Sequence, residues 1–219
     1  MRLFRPLPLL AGLGLAGCAG LPPAEGPLRP WQVIQLREHA TQLRDSDQLV
    51  SDAALSAYLR EWMVRIDPIA AAQIELFVLD LPDTQADVVA GRLLRMRLGL
   101  LRQLHSESEL AFVLAHELAH VALGHTAQQL DGSLDAGSAE VSADAAAQET
   151  LQRLGLSPHA GVELLRRLQA VNQVSHVPEE REQLRARLEA LAPAVPQVCL
   201  RPMGGDAARF DAMLAPYRD

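Results

Sequence analysis

Apolar residues recur at three- and four-residue spacing through most of this chain, and that rhythm predicts a mostly helical protein. It is plain in Trp31 to Arg44 and in Ser51 to Ile66, where Leu55, Leu59 and Met63 share one face and Asp67-Pro68 ends the run. The rhythm then changes. Ile74 to Leu79 is a short apolar run with β-branched and aromatic members, which predicts a strand, and Pro82-Asp83 marks a turn. Val88 to Leu98 alternates unevenly around Arg92, Arg95 and Arg97 and predicts a second strand. Helical spacing returns in Glu107 to Leu123, Ser138 to Leu154, Pro158 to Val171 and Pro178 to Leu191. Pro193 and Pro196 stop the last of these, and one more short helix is expected near Asp206 to Leu214. Strands early and helices late predict an α+β domain, predominantly helical with a small β-sheet.

The first thirty residues follow neither pattern. Arg2 and Arg5 precede a short apolar stretch, Leu7 to Leu15, too brief to span a membrane as a mature helix. It ends in Leu15-Ala16-Gly17-Cys18, which resembles the lipoprotein box of bacteria. That resemblance implies a cleaved signal peptide over residues 1–17 and acyl chains on Cys18 that hold the protein to a membrane. With Ala19 next instead of Asp, it further implies the outer membrane, facing the periplasm. Residues 19–30 contain four Pro and two Gly without periodicity, so 18–30 reads as a lipidated Cys and an extended tether. A folded domain is then expected over 31–192, with 193–219 as a C-terminal extension.

Composition narrows the function classes. The chain has 219 residues, room for one compact domain with appendages, and its 49% apolar and 21% charged content is that of a globular protein. The formal charge is −7, every basic residue is Arg, and aromatics make up 4%, which argues against nucleic acid as a partner. Two Cys cannot build a disulfide framework; with Cys18 acylated, Cys199 reads as a small buried hydrophobe.

The chemistry lies in residues 106–125, SESELAFVLAHELAHVALGH. Ser106 and Glu109 fit a capping box at a helix start, and Gly124 fits a helix stop. From Leu110 to Leu123 every residue is apolar except His116, Glu117 and His120. A helix apolar on nearly all sides is buried, and three buried polar groups need strong partners. At about 100° per residue, His120 lies about 40° from His116, one turn on, so both imidazoles can meet one metal ion. Glu117 flanks that ion and can reach a water beside it. This is the His-Glu-x-x-His pattern of zinc hydrolases.

Catalytic zinc takes a third protein ligand and keeps one position open. The metzincin arrangement fails here, because Gly124 and His125 follow His120 by four and five residues instead of three and six. A continuous helix would also turn His125 about 140° away from His120, so His125 reads as a residue that stabilises the helix end. An acid from a later helix is the other answer. Glu140 and Asp144 share a face at i, i+4, so one can ligate while the other orients a ligating His.

The Gly99-Leu100-Leu101 stretch, the 106–125 run, EVSAD at 140–144 and LGLSPHAGVELLRRL at 154–168 together resemble the M48 family of metallopeptidases. The resemblance implies a zincin-like fold and one Zn2+ per chain, with His116, His120 and Glu140 as ligands, Glu117 as the base and Asp144 behind a ligand. Ser175 to Arg181 resembles a His-Pro, Glu-Arg segment that lies near the metal in that family, here with Val177 between His and Pro. On that resemblance His176 would donate to the oxyanion or cap the zinc at rest, and Arg181 would pair with an active-site carboxylate. His39, His105 and His159 belong to no pattern and read as surface residues.

The reaction expected is metal-assisted peptide hydrolysis, with Glu117 taking a proton from the attacking water and passing it to the leaving amine. An extended substrate would add to an exposed sheet edge, expected along Val88 to Leu98. Such pairing uses backbone groups and demands an unfolded or flexible segment, which points to misfolded envelope proteins. Two other readings stay open: a latent metallopeptidase-like assembly or chaperone factor, and a zinc amidase acting on cell-wall peptides.

Overall fold

The computed structural model describes residues 28–172, 178–194 and 205–218. The signal segment, Cys18, most of the tether, His176, Pro196 and Cys199 lie outside the described residues. Among those described, no helix is long and apolar enough to cross a membrane.

The early helices begin where proline or a carboxylate deals with the first free amides. Helix α1 (Pro30–Arg44) opens on proline. Helix α2 (Ala53–Ile66) is capped by Asp52, which accepts from the amides of Ala54 and Leu55. Asp67 ends α2 and caps α3 (Pro68–Gln73) through the amides of Ile69 and Ala70, so one Asp-Pro pair is both a stop and a start.

Three strands follow: β1 (Glu75–Leu79), β2 (Ala86–Val89) and β3 (Leu93–Arg97), in the order β1-β3-β2. Strand β3 runs parallel to β1 and antiparallel to β2. The single strand expected over Val88 to Leu98 is therefore corrected to parts of a hairpin, with Leu98 already helical. The chain reverses at Ala90-Gly91, where both residues take positive φ, 48° and 62°, a twist that suits a hairpin. This also moves the expected edge. Strand β3 is central, while the outer side of β1 is covered by residues 48–50 through Val50 N to Val78 O at 2.9 Å and Asp80 N to Gln48 O at 2.7 Å. Among the described residues, strand β2 is the open edge.

The rest is helical: α4 (Leu98–Gln103), α5 (Glu107–Ala122), α6 (His125–Asp131), α7 (Ala136–Arg153), α8 (Ala160–Asn172), α9 (Pro178–Leu191) and α10 (Ala207–Leu214). Short 3-10 turns at Ala192–Ala194 and Ala215–Tyr217 complete the described chain. The α+β class holds, with α3, α4 and α6 as helices beyond those the spacing predicts.

The sheet separates two apolar clusters. Phe77, Leu79 and Leu93 meet Ala40 and Leu43 of α1 on one face. Val78, Val88, Leu94 and Met96 face the main core on the other. Helix α5 runs through that core, packed against α2, α7, α8 and β2, and is buried without a break from Glu107 to Ala119. Ser106 Oγ accepts from the Glu109 amide at 3.2 Å, as the capping box expects. The return bond differs: the Glu109 carboxylate accepts from the His105 amide at 2.6 Å and pairs with Arg167 of α8. Glu107 accepts from the Tyr58 hydroxyl at 2.6 Å and from the Asp206 amide, which ties α10 to the core. The charged first turn of α5 thus pins neighbouring elements, and its apolar middle fills the space between them.

Gly99 shows how closely the sheet connection packs. A Cβ there would stand 2.1 Å from the Pro82 carbonyl oxygen, a backbone atom that cannot rotate away. Gly99→Ala should cost about 1–3 kcal/mol by overpacking, more than the roughly 1 kcal/mol that alanine returns in a helix. A lower urea midpoint is the expected result, and an unchanged or raised midpoint would contradict this packing.

Candidate metal centre

Helices α5 and α7 lie side by side, and their contact brings together residues 24 apart in the chain, His116 and Glu140. His116 and His120 stand one turn apart on α5, with their Nε2 atoms 3.1 Å from each other. Glu140 reaches across from α7: its Oε2 lies 3.3 Å from His116 Nε2 and its Oε1 3.4 Å from His120 Nε2. Two imidazole nitrogens and a carboxylate oxygen therefore converge within 4.8 Å. Ligands about 2.0–2.1 Å from a tetrahedral zinc ion stand about 3.3 Å from one another. The three spacings match that value, so the residues fit the ion.

Charge supports the same conclusion. Glu117, Glu140 and Asp144 bring three carboxylates to this region, and Arg187 of α9 brings one fixed positive charge. A single dication balances the remainder. Burial and the Arg187 charge push the His116 pKa down, yet the Asp144 and Glu140 carboxylates outweigh them and lift it to about 9. Burial pushes Glu140 up, but His116 and His120 hold it well below the usual carboxylate range. The donor set favours positive charge in its midst.

Behind the donors, Asp144 Oδ1 lies 2.9 Å from His116 Nδ1, close but off the ideal N–H direction. Asp144 is itself gripped by Arg187, whose Nε and Nη2 donate to its two oxygens at 2.7 Å each. Arg187 Nη1 also stands 3.0 Å from Glu140 Oε2. One guanidinium thus holds both Glu140 and Asp144 of α7 against α5. Burial raises the Asp144 pKa, but Arg187 and His116 overcome this and keep it ionised.

Glu117 is buried beside the donors, and burial raises its pKa against the lowering effect of the two histidines. It lines a cleft of about 370 Å³ together with His116, His120 and Glu140. Residues 84–88, which include most of β2, form part of the wall, and Phe112, Leu164 and Leu168 give it an apolar side. The open edge strand and the metal donors therefore share one cavity, and a carboxyl group of raised pKa stands there as an acceptor for a proton.

The structure brings His116, Glu117, His120, Glu140 and Asp144 together. Arg181 is exposed on α9 and does not line the cleft; Arg187, six residues later, is the arginine that pairs with the acids. Helical spacing carries a signal for it, because Arg187 sits between Leu184 and Leu191 on the inward face of α9. His125 also departs from the sequence reading: it is buried, and its Nδ1 lies 3.1 Å from His120 Nδ1. Gly124, at φ 76°, breaks the helix before it and turns the side chain back toward the centre. His39 is half-buried and contacts Arg95 at 3.2 Å; His159 is half-buried and His105 exposed.

Residues 69–135 match the family model described as Peptidase family M48. The match takes in His116, Glu117, His120 and His125 and stops one residue before α7, so Glu140 enters the site on geometry. No curated protein matches the chain.

The His116 shift has a consequence for the metal-free protein. Its folded pKa of about 9 exceeds the unfolded value of about 6.5. The stability it contributes is full below pH 6.5 and lost as pH rises through 9. Urea midpoints of chelator-treated protein should fall across that window, and Asp144→Asn should flatten the fall. A pH-independent midpoint in the parent chain would contradict the assignment.

Proposed function

We propose that this chain, whose residues 69–135 match the Peptidase family M48 model, is a zinc-dependent endopeptidase anchored to a bacterial envelope membrane. Its substrates are unfolded or misfolded envelope proteins. The observation that carries this reading is the convergence of His116, His120 and Glu140 beside Glu117, at the base of a cleft that the open edge of β2 also enters.

Zinc held by those three side chains would supply Lewis acidity, polarising a carbonyl oxygen and lowering the pKa of water to about 7. The chain's own part is positioning and proton transfer. Glu117, with its pKa raised by burial, takes the proton of the attacking water and delivers it to the leaving nitrogen. Arg187 and Asp144 hold Glu140 and His116 in place while this happens. The outer backbone groups of β2, unpaired among the described residues, receive an extended substrate as an added strand, and the leucines of α8 present an apolar wall to its side chains. Backbone pairing selects for flexibility more than for sequence, which suits a protease acting on damaged proteins.

The envelope location rests on the run Leu15-Ala16-Gly17-Cys18 and the Pro-rich stretch after it. Acyl chains on Cys18 would hold the domain at the outer membrane, facing the periplasm, on a tether of about a dozen residues. Cys18→Ala should then move the protein from the membrane fraction to the soluble fraction, and unchanged fractionation would remove the anchor.

The activity is tested with the full chain in detergent, unfolded casein as substrate, and a chelator control. Glu117→Gln should retain zinc and lose cleavage by about 10²–10⁴-fold. Glu140→Ala should lower the zinc content of the purified protein. Casein cleavage that survives Glu117→Gln would overturn the base, and cleavage of cell-wall peptide instead of casein would move the activity to an amidase.

A further inference from the structure

His125 is buried beside the metal centre without belonging to the donor set. Its surroundings define a direction for every proton between His120 and the backbone. His116 and His120 both turn Nε2 toward the donor cluster, so each directs Nδ1 away from it. A histidine that ligates through Nε2 carries its proton on Nδ1 and needs an acceptor there. For His116 the carboxylate placed there is Asp144, 2.9 Å from Nδ1. For His120 the neighbour is His125 Nδ1, at 3.1 Å.

The far side of His125 settles the direction. Its Nε2 lies 3.3 Å from Ser142 Oγ, and Ser142 Oγ lies 2.9 Å from the Ser138 carbonyl oxygen and 3.0 Å from that of Ala139. Carbonyl oxygens only accept, so the single Ser142 hydroxyl proton goes to the backbone. Ser142 Oγ then accepts from His125 Nε2–H, which leaves His125 Nδ1 bare. That nitrogen accepts from His120 Nδ1–H, and His120 Nε2 is left with a free lone pair facing Glu140 and His116. We infer that His125, backed by Ser142, is a positioning residue that fixes His120 in the tautomer whose bare Nε2 faces the donor cluster.

Charge explains why the two ligand histidines have different partners. A carboxylate in place of His125 would add a fourth negative charge to a site that one dication and Arg187 balance at three. A neutral imidazole accepts the bond without that charge. The device depends on Gly124, whose φ of 76° brings His125 back over His120.

This inference rests on the metal-centre reading, and its test separates the two. Zinc affinity of the full chain in detergent is measured by competition with a chromophoric chelator. His125→Ala should weaken it by about 10–100-fold. His125→Asn should recover most of the loss, because the amide oxygen can stand where Nδ1 does. Ser142→Ala should give a smaller weakening, and nitrogen NMR of zinc-loaded parent protein should show His120 protonated on Nδ1. A purely structural His125 would lower the melting temperature of the metal-free protein and leave zinc affinity and the His120 signal unchanged. Zinc binding by His125→Ala equal to the parent's, or His120 protonated on Nε2, overturns the inference alone. A parent chain that takes up no zinc overturns the metal centre with it. Should His125→Ala fail to fold, Ser142→Ala and the NMR signal still decide the question.

Discussion

Three carboxylates and two imidazoles meet at the contact between two helices, and most of them are withdrawn from water. Such groups are costly to bury unless each is paired. That constraint organises the structure around it. Arg187 comes in from α9 and answers Glu140 and Asp144 of α7. Asp144 and His125 take up the outer nitrogens of the two α5 histidines. The charge still uncompensated amounts to one dication, and the donor spacing matches one. A single electrostatic requirement thus accounts for why α5, α6, α7 and α9 gather at this point.

The sheet contributes by where it ends. Covering the outer side of β1 with residues 48–50 and placing β3 in the middle leaves β2 as the open edge. Because β2 packs against α5, that edge lies along the cleft that holds Glu117. The hairpin turn at Ala90-Gly91 is what puts it there: one continuous strand from Val88 to Leu98 would have had no reversal and no edge beside the donors. The tight approach of Gly99 to the Pro82–Asp83 backbone sets the position of the segment that leads into β2.

Most of this was legible in the pattern of residues, for identifiable reasons. An apolar helix interrupted only by His116, Glu117 and His120 has few physical explanations, and the i, i+4 pair Glu140 and Asp144 offers an acid to ligate and an acid to support. The helix boundaries followed from caps and prolines. The hairpin was missed because its turn is Ala-Gly, without the Asn-Gly or Asp-Gly that signals a reversal. His125 lies where a continuous helix would not put it, because Gly124 stops α5 at φ 76° and turns the chain back toward His120. A motif resemblance points to Arg181, whereas the period of α9 puts Arg187 inward and Arg181 in water. Local spacing was a sound guide within one helix and a poor one across a break.

Arg187 joins the metal centre to the stability of the fold. Helix α9 is polar over much of its length, and its buried apolar anchors, Leu184 and Leu191, are few. Beside these and the partly buried Leu188, a guanidinium clamped by Asp144 and Glu140 holds it to the domain. Glu140 also faces the two histidines, so the carboxylate that would ligate a metal is the same one that helps dock α9. Metal binding and α9 docking therefore draw on one charge, and by linkage each biases the other. A cation that fixes Glu140 pre-arranges the partner of Arg187, and a docked Arg187 keeps Glu140 aimed at the histidines. The arrangement makes the last helix of the site a part of the metal centre in energetic terms, although none of its described side chains belongs to the donor set.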